Sequence, residues 1–245
     1  MWWIAAAAAQ QITMGVDRVA LLDPGFQPTA VDIGDRRVVE VAPSAPVLLI
    51  YGLRPGTTTV GVERADGSSA QWKVEVQADD SAPTGGPGLV ERREVLTLTP
   101  GGGAVCAIAA EAASKRVADE RVAVQPFGSG RWIVWAGPDG HGDLVFEDEA
   151  KGPRVLAVGA GNPAAGASCQ LPTGEVRVAV GATLDVDVGR KPATVWVVDP
   201  GVAHAAAGEG NAVRLTAVRP GTTVLAVRSG DRDAPFLRTV VVTRP

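Results

Sequence analysis

The chain has 245 residues, long for one small domain and suited to two or three, and 46% of them are apolar, enough to fill a core in each. Aromatic residues are only 4%, while 30 Gly and 18 Pro favour many short strands and turns over long helices. A net charge of −4 with both signs interspersed gives no electrostatic footprint for nucleic acid or for an anionic membrane surface, and both partners are excluded.

The chain opens MWWIAAAAAQQ, an apolar run ending in Ala7, Ala8 and Ala9, the small-x-small pattern that precedes signal-peptide cleavage. The run is far too short to span a bilayer. Residues 1–10 are therefore read as a possible truncated signal peptide, and the expected location is the periplasm or cell envelope. No basic residue precedes the run, which leaves two readings, a start further upstream or a frayed tail.

Residues 11–78 form the first predicted module. Asp32-Ile33-Gly34-Asp35 leads through VVEVAPSAPVLLIYGL to Arg54, Pro55, Gly56, Thr57 and Thr58, and then to TVGVERADGSSAQWKVEVQ. Pro at the second turn position presets φ and Gly at the third accepts positive φ, so the pentapeptide predicts a type II turn closing a hairpin. A linker, ADDSAPTGGPG (78–88), follows.

The same pentapeptide returns at Arg219, Pro220, Gly221, Thr222 and Thr223, inside a second module at 175–244. Gly15 against Gly181, Gly34 against Gly201 and Pro55 against Pro220 are offset by 166, 167 and 165 positions, the signature of an internal repeat. Val213, Leu215 and Ala217 alternate before the turn, and Val224 and Ala226 after it, as in strands with one buried face.

Between them, residues 90–160 read as a divergent third copy, in which Asp119, Gly130 and Leu144 precede Asp199, Gly210 and Val224 by 80 positions each. GNPAAGASCQLPTG (161–174) links it onward. VCAIAAEAASKRVADE (105–120) is the best helix former in the chain, yet the repeat sets Cys106, Ile108 and Ala110 opposite Leu184, Val186 and Val188. The repeat predicts a strand there. The fold class expected is all-β, three tandem immunoglobulin-like β-sandwich modules.

Asp199-Pro200-Gly201, Leu49-Ile50-Tyr51-Gly52, Arg54–Val60 and Arg219–Leu225 together resemble the pilus-formation N-terminal domain, which stands ahead of the channel-forming part of secretins in Tad-type pilus and type II or III secretion machines. The resemblance covers the first and third modules well and the second poorly. No channel-forming region follows the modules, so the resemblance implies an accessory or scaffold protein whose partners are proteins, a secretin or pilus component among them, in a homo-oligomer or larger assembly. Exposed strand edges would provide the docking, by strand addition. Pro-Gly-Thr-Thr turns are similar to those of bacterial immunoglobulin-like repeats in surface adhesins, which gives the alternative of an adhesin or ligand-binding module.

Chemistry is sparse: two histidines, two cysteines and one tyrosine offer no nucleophile-base arrangement, and neither enzyme nor cofactor is expected. The Asp139-Gly140-His141-Gly142-Asp143 turn has oxygen ligands for a divalent cation, but these residues also stand where the sister modules carry their Pro-Gly-Thr turn. No metal is assigned. Asp185 and Asp187 share one strand face, most simply a solvated one. Trp72 and Trp196 are expected in the core or in cross-strand pairs; Trp132 and Trp135 point to opposite faces of one strand and are interface candidates. In an exported protein Cys106 and Cys169 are expected to pair as a disulfide, the other reading being two unrelated thiols.

Overall fold

A computed structural model describes residues 10–108, 122–128, 130–137, 139–147, 152–166, 168–230 and 233–245. The signal-peptide reading falls outside them; of the 105–120 stretch, residues 105–107 lie in a strand and residues 109–120 fall outside the described residues. The described residues form strands and no helix.

The first module contains β1 (Gln10–Gly15), β2 (Val19–Leu22), β3 (Ala30–Ile33), β4 (Val39–Ser44), β5 (Val47–Gly52), β6 (Gly56–Glu63) and β7 (Ser69–Gln77), and the short β8 (Thr84–Gly85) follows. The middle segment has β9 (Arg93–Leu98), β10 (Gly103–Ala107), β11 (Val122–Pro126), β12 (Arg131–Ala136), β13 (Gly142–Phe146), β14 (Arg154–Ala160) and β15 (Cys169–Gln170). The last module has β16 (Glu175–Ala179), β17 (Thr183–Asp187), β18 (Thr194–Val197), β19 (Ala203–Ala207), β20 (Ala212–Ala217), β21 (Gly221–Arg228) and β22 (Phe236–Thr243).

Pairing follows one plan. The first module has sheets β3-β6-β7-β1-β8 and β2-β5-β4, and the last has β18-β21-β22-β16 and β17-β20-β19. In each, the opening strand lies parallel to the closing one, β1 beside β7 and β16 beside β22. The middle sheets, β13-β14-β9 and β11-β12-β10-β15, repeat the order β6-β7-β1 and β4-β5-β2. These are three tandem immunoglobulin-like modules.

Strand chemistry explains the plan. On β6, Thr58, Val60 and Val62 are buried while Thr57, Thr59 and Glu63 face water, the period-2 pattern of a half-buried strand. They meet Leu48 and Ile50 of the facing sheet, with Trp72, Val74 and Val76 of β7 completing the core. Each such valine or leucine contributes about 1.5–3 kcal/mol on leaving water. In the last module Val213 and Leu215 meet Leu225, Val227, Val240 and Val242 in the same way.

The chain divides into two compact units. Of the described residues, unit 1 comprises 10–94, 141–147 and 152–157, and unit 2 comprises those in 95–108, 122–140 and 158–245. Within unit 1, Val19, Leu21, Val47, Leu49 and Tyr51, on the outer face of β2-β5-β4, pack with Val145 of β13 and Val155 of β14. Within unit 2, Ala226 and Leu237 on the outer face of β21 and β22 pack with Val105, Phe127 and Ile133. β5 is therefore buried along its whole length, and so are Thr223 to Val227 of β21.

Three expectations are corrected. The repeated pentapeptide does not close a hairpin: β5 and β6 belong to different sheets, as do β20 and β21, so the chain crosses between sheets there. The hairpin comes afterwards, between β6 and β7, where Arg64 N–H donates to Ser68 O at 2.8 Å. Of the two readings of Trp196 the cross-strand pair holds, with Ala226 opposite it on β21, and the core does not: it is 36% exposed, because its neighbours Val195 and Val197 take the inward side of β18. Leu184 is likewise 40% exposed, unlike Val186 on the same face.

Candidate functional site

The two pentapeptide crossovers have the same internal geometry. In the first module Leu53 N–H donates to Val38 O at 2.9 Å, Asp35 N–H donates to Thr58 Oγ1 at 2.6 Å, and Arg54 Nη2 reaches Asp35 at 4.0 Å. In the last, Val218 N–H donates to Val202 O at 2.9 Å, Asp199 N–H to Thr223 Oγ1 at 2.8 Å, and Arg219 Nη2 reaches Asp199 at 3.2 Å. Gly56 and Gly221 have φ 154° and 156°, and a Cβ on either would stand 2.9 Å from a methyl of Val38 or Val202. A type II turn would need a φ near +80°. The motif is thus a sheet-to-sheet staple whose Asp, Arg, Gly and second Thr are used internally. Asp35 is held at about 2, first by the side-chain hydrogen bond from Arg37.

The middle segment builds its own version. Gly142 opens β13 with φ 159°, so the Asp139–Asp143 turn stands where the staples stand. Asp143 is fully buried. Its Oδ1 accepts from Arg18 Nη1 at 3.0 Å and Arg93 Nη1 at 2.8 Å; its Oδ2 accepts from Val19 N at 2.8 Å and lies 2.7 Å from Arg93 Nη2. Arg18 continues to Asp80, through Nε to the carbonyl at 2.7 Å and Nη2 to Oδ2 at 3.2 Å. Both carboxylate oxygens are thereby engaged by nitrogen donors. Asp139 is exposed and His141 half-buried, and among the described residues no three His, Cys, Asp or Glu side chains gather as a cation site.

The other predicted residues are placed as follows. Cys106 and Cys169 form a disulfide between directly opposed positions of β10 and β15. Trp132 and Trp135 are half-buried on β12, and Trp135 Nε1 donates to Gly101 O at 3.2 Å. Trp72 is buried, with Nε1 donating to Pro87 O at 3.3 Å. Asp185 pairs across the strands with Arg214 at 3.0 Å, which lowers its pKa first through that hydrogen bond, and Asp187 accepts from Gly189 N at 2.8 Å.

Strand edges are what sequence reasoning treated too uniformly. The β2 edge in unit 1 is closed: Arg93 Nη2 donates to Val19 O at 2.6 Å, Val90 N to Leu21 O at 2.9 Å, and Asp23 N to Gly88 O at 2.7 Å. On the same side β8 pairs with β1. The segment read as a linker is therefore an edge cover, consistent with its glycines, which allow close approach to β1 and to the end of β2. β3 and β4, at the other side of the module, are each the outermost strand of their sheet. Between them lies a cleft of about 650 Å³ with Phe26, Val31, Val41, Pro43, Pro46 and Leu48 in its wall. Arg64 lies 4.3 Å over the Phe26 ring. No helix among the described residues is long and apolar enough to cross a membrane.

A family model described as the pilus formation protein N terminal region matches residues 8–77 and 172–243, together more than half of the chain. No curated protein matches it. Among solved structures, an endo-fucoidan hydrolase of glycoside hydrolase family 107 is similar at 10% identity and a TM-score of 0.22, over 97% of this chain and 45% of that one. Domains 4 and 5 of the S-layer protein SbsC are similar at 14% identity and a TM-score of 0.22, over 86% and 69%. An I-band fragment of titin is similar at 8% identity and a TM-score of 0.21, over 97% and 96%. The chain spans less than half the length of the hydrolase, and likenesses of this size carry no functional weight.

Proposed function

Since the chain belongs to the family of pilus formation protein N-terminal regions, and carries that domain twice, we propose that it is a non-enzymatic scaffold of a pilus or secretion machine. It works in the periplasm or cell envelope by binding other proteins. The observation that carries this reading is the division of labour within the first copy of the family domain. The polar residues of its motif are engaged internally as a staple, while β3 and β4 retain outer strand edges beside an apolar cleft. Such edges recruit protein by main-chain hydrogen bonding.

The test is in-cell photo-crosslinking from exposed positions on β3 and β4, with cell fractionation alongside. Expected is capture of a pilus or secretion component from the envelope fraction. A protein found in the cytosol and crosslinked to no envelope component overturns the proposal.

A further inference from the structure

Each unit has an outermost strand with an apolar feature and unpaired charge beside it. In unit 1 the cleft beside β3 is apolar, and on the adjoining strands Asp32 and Glu63 are exposed and form no ion pair among the described residues. Ala30 of β3 pairs with Glu63 of β6, and Asp32 with Gly61, so both carboxylates lie on one face of the sheet, the one away from Val31, with Asp32 on the outermost strand itself. In unit 2, β18 is the outermost strand of its sheet. It presents Trp196, 36% exposed, on the face away from its own core, and Lys191, three residues before the strand begins, is exposed and unpaired among the described residues.

We infer that β18 of one copy of this chain docks along β3 of a second copy, seating Trp196 in the cleft and setting Lys191 against Asp32 and Glu63. The inference rests on the scaffold reading and names one of its contacts. Alternate residues of an outer strand turn their N–H and C=O groups away from the sheet, so β18 and β3 can complete each other's ladder. Because Trp196 points away from the core of its own module, the joined sheet has its two cores on opposite sides, with the indole on the side of the cleft. An indole that leaves water in this way is the typical anchor of a protein interface. The two surfaces are different patches of one chain, so the contact is head-to-tail, and each copy can both give β18 and receive it.

Sedimentation equilibrium of the full chain tests the contact. Wild type is expected to self-associate beyond the dimer with rising concentration. Trp196→Ala, and Pro43→Trp, which fills the cleft from β4, should each weaken association at least tenfold with an unchanged melting temperature. An equimolar mixture of the two variants should form dimers and nothing larger, since each keeps the half that the other lacks. Lys191→Glu and Asp32→Lys should each weaken association, and the chain carrying both should regain it, a readout that does not depend on the cleft variant folding. A monomeric wild type, a Trp196→Ala chain that associates as wild type does, or a mixture that stays monomeric overturns the inference. Envelope crosslinks that survive in a non-associating Trp196→Ala chain support both readings, whereas self-association without any envelope crosslink overturns the scaffold and leaves this contact standing.

Discussion

Replacing Asp143 by alanine removes the only carboxylate that touches both Arg18 and Arg93 among the described residues. Asp143 is fully buried, and Arg18 is 8% exposed, so the two guanidiniums lose a counter-charge where water does not easily replace it. Breaking a buried pair from one side costs about 3–5 kcal/mol. The Val19 amide, 2.8 Å from Oδ2, is orphaned as well. Arg18 keeps Asp80, which is itself exposed and provides a path for water, and this holds the total near the middle of that range. For a domain of roughly 120 residues each kcal/mol moves the midpoint by about 4 °C, so a fall of about 15 °C is expected in the melting of unit 1. Hydrogen exchange locates the effect: amides of β2 and β5 should lose protection by about a thousandfold, since 1.4 kcal/mol is tenfold, while β20, β21 and β22 keep theirs. Asp143→Asn, which retains an acceptor for Val19, should lose less. A shift under about 4 °C, or equal loss of protection in β20 to β22, refutes the assignment of Asp143 as the clamp of unit 1.

Gly221→Ala places a Cβ 2.9 Å from Val202 Cγ2 at φ 156°, and should destabilise unit 2 by about 1–3 kcal/mol; thermal melts of the variant with and without Val202→Ala should show partial relief, and additive effects would contradict the contact. Cys169→Ser opens a disulfide of sequence separation 63 and should lose about 4 kcal/mol on the chain-entropy estimate. Denaturation with and without reductant checks it, because reductant should bring wild type down to the variant. Arg37→Ala should raise the Asp35 carboxyl from about 2 towards its ordinary value of 3.8 in a carbon-detected NMR titration. The folded-state pKa lies below the unfolded one, so the stabilisation from this exposed pair is complete above pH 3.8 and is lost as pH falls towards 2.

Much of the fold was legible because side-chain alternation and repeat spacing are local signals. Val213, Leu215 and Ala217 are buried as their period of two requires, and Gly130 and Gly210, matched by spacing alone, have φ 64° and 60°. The crossover was not legible, because Arg-Pro-Gly-Thr has the same turn propensity whichever sheet receives the next strand. What distinguishes the crossover is non-local: Val38 and Val202, earlier in the chain, stand where a Cβ on the glycine would have to go. Asp-Gly-His-Gly-Asp reads locally as an oxygen-rich turn, and nothing in it sets Asp143 apart from Asp139. The actual partners of Asp143 are Arg18 and Arg93, 125 and 50 residues away, and no local pattern encodes them. Trp196 sits in an apolar strand, where the parity of Val195 and Val197 turns it outward and leaves the cross-strand pair with Ala226 as its contact within the sheet.

Parity also decides which side of each family domain meets other parts of the chain. On β2 and β5 the outward residues are Val19, Leu21, Val47, Leu49 and Tyr51, and that face is covered. The corresponding strands β17 and β20 turn Thr183, Asp185, Arg214 and Thr216 outward, a face that cannot be dehydrated without stripping water from the Asp185–Arg214 pair. The opposite sheets reverse the choice: Thr57, Thr59, Gln71 and Lys73 keep β6 and β7 wet, whereas Ala226 and Leu237 allow β21 and β22 to be covered. Two copies of one domain thus bury different sheets, and the polar faces left over are poor sites for tight association. What remains is strand edges, and in the first domain the segment from Thr84 to Arg93 closes one side, so β3 and β4 are left as the outermost strands of their sheets.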